Sequence, residues 1–412
     1  MLKRILVSLG FCWMVTGCFA QSNQLDYFVQ AALQNSPLLK DYQLKVQASR
    51  YDSLLILAAY KPQVTGNSFN NYAPVIKGWG YDDAITNGRN ISALIGVNKQ
   101  IQNKKLVNAQ FQNLQIQNQQ FVNTAKITKQ DLQRTIIAQY ITVYGDQQQL
   151  SFNQEVYQVL TREDIIFKKL TQGNVYKQAD YLAFLVTMQQ QDLLIKQLNM
   201  QVKNDYATLQ YLSGVEDTLM AELQGPAISN STLPAINNSV FYQQFYLDSL
   251  QLVNSKTLID VSYTPKISVF ADAGYNSSLA YRPYKNFGTS FGISATIPIY
   301  DGKQKELQYS KIELQEKSRQ QYSHFFVNQY ARQIAQYNQQ LQATEQMISD
   351  INIQLRYSKS LVDVNSKLLE AGEVKVADYM LALNNYLNAK NLVTQNIISR
   401  LQIINQLNYW NQ

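Results

Sequence analysis

The sequence predicts a mainly α-helical chain with two pairs of β-strands, built as two structural repeats, and three observations carry that prediction. The first is proline placement. The eight prolines leave residues 75–225 and 299–412 with none, and an interior proline costs a helix about 3 kcal/mol. Within those windows apolar residues recur at helical spacing among Gln, Asn and Lys. The second is two-residue alternation, the period of a strand, in segments outside the windows. The third is that the same order of elements occurs twice.

At the N-terminus, Lys3 and Arg4 precede an apolar stretch from Ile5 to Val15, too short for a spanning helix of about 20 residues. Residues 1–20 therefore read as a signal peptide, and the protein as exported. Cys18-Phe19-Ala20 before Gln21 fits signal-peptidase cleavage, the preferred reading; Val15-Thr16-Gly17-Cys18 resembles a lipobox, which would make Cys18 a lipidated first residue. Loss of Lys3 and Arg4 lowers the formal charge from +7 to +5, too modest and too interspersed to indicate nucleic acid. No later window holds eighteen consecutive apolar residues, which leaves an exported soluble protein or a β-barrel.

Composition excludes disorder, since 46% of residues are hydrophobic and 11% aromatic. Gln makes up roughly one residue in eight, which predicts long uncharged polar helix faces. The two cysteines, Cys12 and Cys18, both precede residue 19, so a cysteine nucleophile, a Cys/His zinc site or a CxxC pair is excluded beyond it. A Ser-His-Asp triad would have to use His324, which has no carboxylate three or four residues away. No catalytic residue, metal site or cofactor is predicted.

The first repeat is read as residues 21–213: a helix, strands at 62–72 and 91–101, a long helix at 105–172, a tip turn and a returning helix. In the long helix Val107, Phe111, Leu114, Phe121, Ala125, Leu132, Ile136, Tyr140 and Tyr144 recur three, four or seven residues apart. This is a coiled-coil seam, or equally the core of a helical bundle. Gly145-Asp146 suggests a break in it. The longer strand connection holds Trp79, Asp82 and Asp83, read as a solvated loop in preference to a calcium site. Residues 214–240, with Gly225, Pro226 and Pro234, link the halves.

The second repeat, 241–412, carries strands at 265–275 and 289–299 and a long helix at 303–370. Here Ile267, Val269, Ala271, Ala273 and Tyr275 alternate with Ser268, Phe270, Asp272 and Gly274; Phe291, Ile293, Ala295, Ile297 and Ile299 alternate with Gly292, Ser294, Thr296 and Pro298. Such alternation suits a membrane barrel strand, or a half-buried hairpin of a soluble protein. Tyr60-Lys61-Pro62 corresponds to Tyr263-Thr264-Pro265. The turn at Gly173 corresponds to that at Gly372, with one extra residue in the first copy; Asp180 and Asp378 then open the returning helices as N-terminal caps.

A helix of this length would extend about 100 Å, more than a monomer could bury. Four strands also leave two open edges, which a membrane does not tolerate. Rotational assembly removes both problems, and edge closure alone allows several copy numbers.

The order and spacing of these motifs, with Pro298-Ile299-Tyr300-Asp301-Gly302 between second strand and long helix, resemble a TolC-type outer-membrane factor over essentially the whole mature chain. The resemblance implies a homotrimer: a twelve-stranded β-barrel in the bacterial outer membrane, continuous with a long periplasmic α-helical barrel. It implies a passive exit duct of a tripartite efflux pump or type I secretion system. Its partners would be a periplasmic adaptor protein, an inner-membrane pump of RND or ABC type, and outer-membrane lipid. By resemblance the turns at Gly173 and Gly372 form the periplasmic tip, and Asp378, with Asp180 in the related place, would ring a closed aperture. The family's Tyr/Arg lock would fall near Leu369 and Val374 and is absent here. The competing class is a non-channel scaffold or surface stalk, which has no need of paired strands in each repeat.

Overall fold

The computed structural model describes residues 24–82, 88–217, 220–230 and 236–410. The signal-peptide segment with Cys18, and also Asp83 and Pro234, lie outside the described residues. The elements are α1 (Leu25–Asn35), α2 (Pro37–Ala59), β1 (Gln63–Tyr72), β2 (Arg89–Gln100), α3 (Lys104–Gln172), α4 (Gln178–Ser213), α5 (Val240–Ser262), β3 (Lys266–Ser277), β4 (Phe287–Thr296), α6 (Gln304–Glu370) and α7 (Val376–Tyr409). Two of them dominate: α3 has 69 residues and α6 has 67.

Local chemistry sets most boundaries. Ser36 caps α2 through its side chain, accepting from Leu39 N, and Pro37 occupies the first turn, where its missing N–H costs nothing. This separates α1 from α2 and divides what the sequence suggested as one helix. Asn103 Oδ1 accepts from the backbone of Lys105 and Leu106 to start α3. The second strand of the second pair begins at Phe287 and stops at Thr296, short of the expected 299. Pro298 has no N–H for the ladder and restricts Ile297 before it.

The long helices pass through two compact units, each drawing on both halves of the chain. One unit takes residues 36–131, 231–338 and 407–412, and contains the sheet. Its four strands are antiparallel in the order β1-β2-β3-β4. Directly opposed residues share a face, so the register sorts the side chains. Val64, Val97, Ala271 and Phe291 stand in one row, and Ile95 and Ala273 in the next. Val269 faces Ile293, and Ile267 faces Ala295. The other face is mixed: it carries Thr65, Asn67, Asn98, Ser268, Asp272, Ser290 and Ser294 together with Phe69, Leu94 and Phe270, with Ser290 Oγ donating to Asp272 Oδ2 at 2.6 Å, while the mainly apolar face includes Ser68 and Asn70 of β1.

The apolar face is bare. Phe291 is 89% exposed and Ile293 75%. On β2 its apolar run Ile91, Ala93, Ile95, Val97 lies between Arg89 and Lys99, residues of the same face. Beside the sheet, α3 and α5 are joined through amides rather than a large apolar core. Gln251 Nε2 donates to Asn113 Oδ1 at 2.7 Å, Gln120 Nε2 to Asp248 Oδ1 at 3.2 Å, and Asn123 Nδ2 to the Val240 carbonyl at 2.9 Å. Phe241, Phe326, Tyr330, Tyr409 and Trp410 close the helical part with ring centroids 5.0–6.3 Å apart.

The other unit contains α1, α4, most of α7 and the remaining parts of α3 and α6. One core packs Phe28, Val29 and Ala32 of α1 against Ile136, Tyr140 and Val143 of α3 and Tyr206 and Leu209 of α4. Contrary to the break expected at Gly145, α3 runs through it unbroken. This glycine serves a close approach: a Cβ there would lie 2.8 Å from Ile398 of α7. Among the described residues no helix is long and apolar enough to cross a membrane.

Candidate functional site: the two hairpin turns

The turns that join α3 to α4 and α6 to α7 share one backbone design. At the end of α3, Val175 N donates to Leu170 O at 2.9 Å and Asn174 N to Thr171 O at 3.1 Å; at the end of α6, Glu373 N donates to Leu368 O at 2.8 Å and Gly372 N to Leu369 O at 3.0 Å. Both are Schellman closures, which place one left-handed residue after the helix. That residue is Asn174 (φ 60°) in the first turn and Gly372 (φ 75°) in the second. Gly173 is therefore not the counterpart of Gly372, and the extra residue expected in the first copy does not exist. Asn174 pairs with Gly372 and Asp180 with Asp378 at one constant spacing.

The two aspartates do not act as the expected N-terminal caps. Lys177 is the N-cap of α4 and makes no side-chain cap bond; Asp180 stands in the first turn, half-buried. Asp378 holds the same place in α7, with Lys375 O accepting from Asp378 N at 3.0 Å, and is exposed. Acidic residues in a first turn complement the helix dipole.

One side chain ties the turns together. The Tyr176 hydroxyl lies 2.9 Å from Val374 O and 3.2 Å from Leu369 O. Beneath it, Phe152, Val156, Leu160 and Phe167 of α3 pack with Phe184 of α4, Val362 and Leu369 of α6, and Tyr379, Ala382 and Leu383 of α7. Phe167 stacks on Phe184 with centroids 4.9 Å apart. Within this core Ser366 Oγ donates to Glu163 Oε1 at 2.6 Å, while Glu163 Oε2 and the Tyr379 hydroxyl find no hydrogen-bond partner among the described residues. Burial raises the Glu163 pKa, and burial followed by the Glu163 charge raises that of Tyr379 far above the usual phenol range.

A second buried acid lies further up α3. Asp146 accepts from Gln201 Nε2 at 3.0 Å through one oxygen, and its other oxygen has no donor among the described residues. Burial, and then the Asp205 carboxylate of α4 facing it, push the Asp146 carboxyl up to about 7. The sequence reading missed Tyr176, Glu163 and Asp146. A signal existed for Glu163, which lies three residues after Leu160 and four before Phe167 and so falls on the buried stripe.

His324 is exposed on α6. No three of His, Cys, Asp and Glu come together as a metal site among the described residues. The geometry is that of helical hairpins held at their turns, with a bare apolar sheet face elsewhere in the chain. No family model and no curated protein matches the sequence. Solved structures do. CusC aligns with a TM-score of 0.75 at 15% identity, over 95% of this chain and 92% of that one.

The chain has the fold of the TolC-type outer-membrane channels.

The outer membrane protein VceC of Vibrio cholerae aligns at TM-score 0.72 and 11% identity, over 94% of this chain and 96% of that one. The MtrE outer membrane channel of Neisseria gonorrhoeae aligns at 0.69 and 13%, over 94% and 88%. At such low identity only the backbone plan carries over, so a TolC-type fold leaves every residue role to be argued from this chain.

Proposed function

We propose that the chain is one subunit of a passive homotrimeric channel in the bacterial outer membrane, extending into the periplasm. The observation that carries this reading is the sheet: one face is apolar and bare, and β1 and β4 each have an unpaired edge. In lipid, backbone groups have no water to pair with, so an open edge must be closed. Three copies close twelve strands, each of 10 or 12 residues, the length that spans a bilayer when tilted. A stalk or scaffold would have no use for that face.

In this role the mixed face lines a lumen, and the chain catalyses no reaction. Its likeness to outer membrane channels supports an exit duct, working with a periplasmic adaptor and an inner-membrane pump of an efflux or type I secretion system. The hairpin turns then form the periplasmic tip. Asp180 and Asp378 would stand in its aperture, where three converging carboxylates repel one another and favour cations. Single-channel recording in planar bilayers tests this. Discrete conductance steps support the channel, and loss of cation preference in Asp378→Ala supports the ring. Absence of any conductance from inserted protein contradicts the channel, and unchanged selectivity contradicts the ring alone.

A further inference from the structure

Where the chain leaves the sheet toward the long helices, exposed apolar residues are followed at once by lysines. After β2 come Ile101 and then Lys104 and Lys105; after β4 come Ile299, 96% exposed, Tyr300 and then Lys303. Lys99 stands on the apolar face itself, next to Val97, and Lys61 precedes β1 at the same end. The sheet register gathers these positions, with Gln63 opposite Asn98, and Ile101 N bonded to Ile267 O at 2.8 Å.

The local carboxylates are already engaged or few. Asp260 pairs with Lys305 at 2.8 Å, and Asp301 accepts from the backbone of Lys303 and Lys305. Glu306 is the remaining acid of this segment. Lys61, Lys99, Lys104, Lys105 and Lys303 have no carboxylate within ion-pair distance among the described residues. Lys104 and Lys105 also stand in the first turn of α3, which holds no acidic residue, so the helix's own partial charge repels them. Among the described residues no carboxylate offsets these charges. Long ammonium side chains at the rim of an apolar band reach toward phosphate while their stems lie along acyl chains.

We infer that this lysine collar binds the phosphate headgroups of anionic phospholipids, such as phosphatidylglycerol, whose acyl chains cover the apolar sheet face. The inference rests on the barrel reading and adds a lipid class to it.

The test is native mass spectrometry of the full protein after detergent exchange in an equimolar mixture of phosphatidylglycerol and phosphatidylethanolamine. Phosphatidylglycerol should be retained in about fivefold excess for each lysine that engages it, and the excess should shrink with added salt. Lys104→Gln/Lys105→Gln/Lys303→Gln should abolish most of it. Lys77→Gln/Lys285→Gln, in the loops at the opposite end of the strands, should leave it intact. Equal retention of the two lipids overturns the inference, as does equal loss in both variants or none in the triple variant. Should the triple variant fail to fold, the salt dependence and the loop variant still decide. Failure of the wild-type protein to insert into phosphatidylcholine vesicles would instead bring down the barrel reading beneath it.

Discussion

The two long helices are nearly equal in length and occupy the same place in their repeats, yet they are packed differently. On α3, Ile136, Tyr140, Ile141, Phe152, Leu160 and Phe167 are buried within the chain, and only Val122 and Ile165 are large apolar residues left exposed. On α6 nine are exposed, including Leu307, Leu314, Tyr322, Phe325 and Tyr357. Burial of apolar surface is the main favourable term in folding, and a folded chain seldom leaves such a series on one helix without a partner. One helix is thus covered by its own chain, and the other leaves a series of apolar side chains exposed. The difference is what the proposed assembly of several copies would require, and the open sheet edges point the same way.

The sharpest way to break this contrast is on α3. Phe167→Ala removes a fully buried ring stacked on Phe184 and should cost about 3–5 kcal/mol in urea unfolding. Next comes the buried acid of the same helix. A carboxyl whose pKa rises from 3.8 to about 7 on folding binds its proton more tightly in the native state. The stability it contributes is present in full below about pH 4 and is lost as the pH rises to about 7. Wild-type stability should fall by about 2 kcal/mol across this range, a figure reduced for sharing with Asp205. Asp146→Asn should flatten that decline, as read by denaturant midpoints at each pH.

Smaller effects probe the join between the helices. Tyr176→Phe removes the hydroxyl that links the first turn to Leu369 and Val374, and should cost about 1 kcal/mol, with faster hydrogen exchange at the second turn. The smallest effect on the isolated chain belongs to α6. Tyr322→Ser/Phe325→Ser alters side chains that are 67% and 63% exposed and should change monomer stability by no more than about 0.5 kcal/mol. The same pair should nevertheless weaken assembly, seen as a shift toward single chains in native mass measurements.

Much of the local plan was legible because strands and helices impress different periods on a sequence. The alternation from Ile267 to Tyr275 lies within β3, and the proline-free windows contain α3 and α6. What escaped depended on tertiary neighbours. Gly145 looks like a helix break when read alone, and only Ile398 explains it. Residue identity alone pairs Gly173 with Gly372, one residue out of register, whereas Asn also tolerates the left-handed position and takes it in the first copy. Tyr176 and Asp146 carry no local pattern, since their partners lie far away in sequence, in the second turn and on α4. Of the candidate site, the turns could be located from the sequence, but the contacts that hold them could not.

The central claim, that this chain is completed by copies of itself in a membrane, is tested most directly by the native mass of the protein extracted with detergent from purified outer membranes. Three copies in that fraction is the predicted result. A single chain recovered from the soluble periplasmic fraction would contradict it, and would mean that the sheet's bare face and open edges are met by something other than lipid and two further subunits.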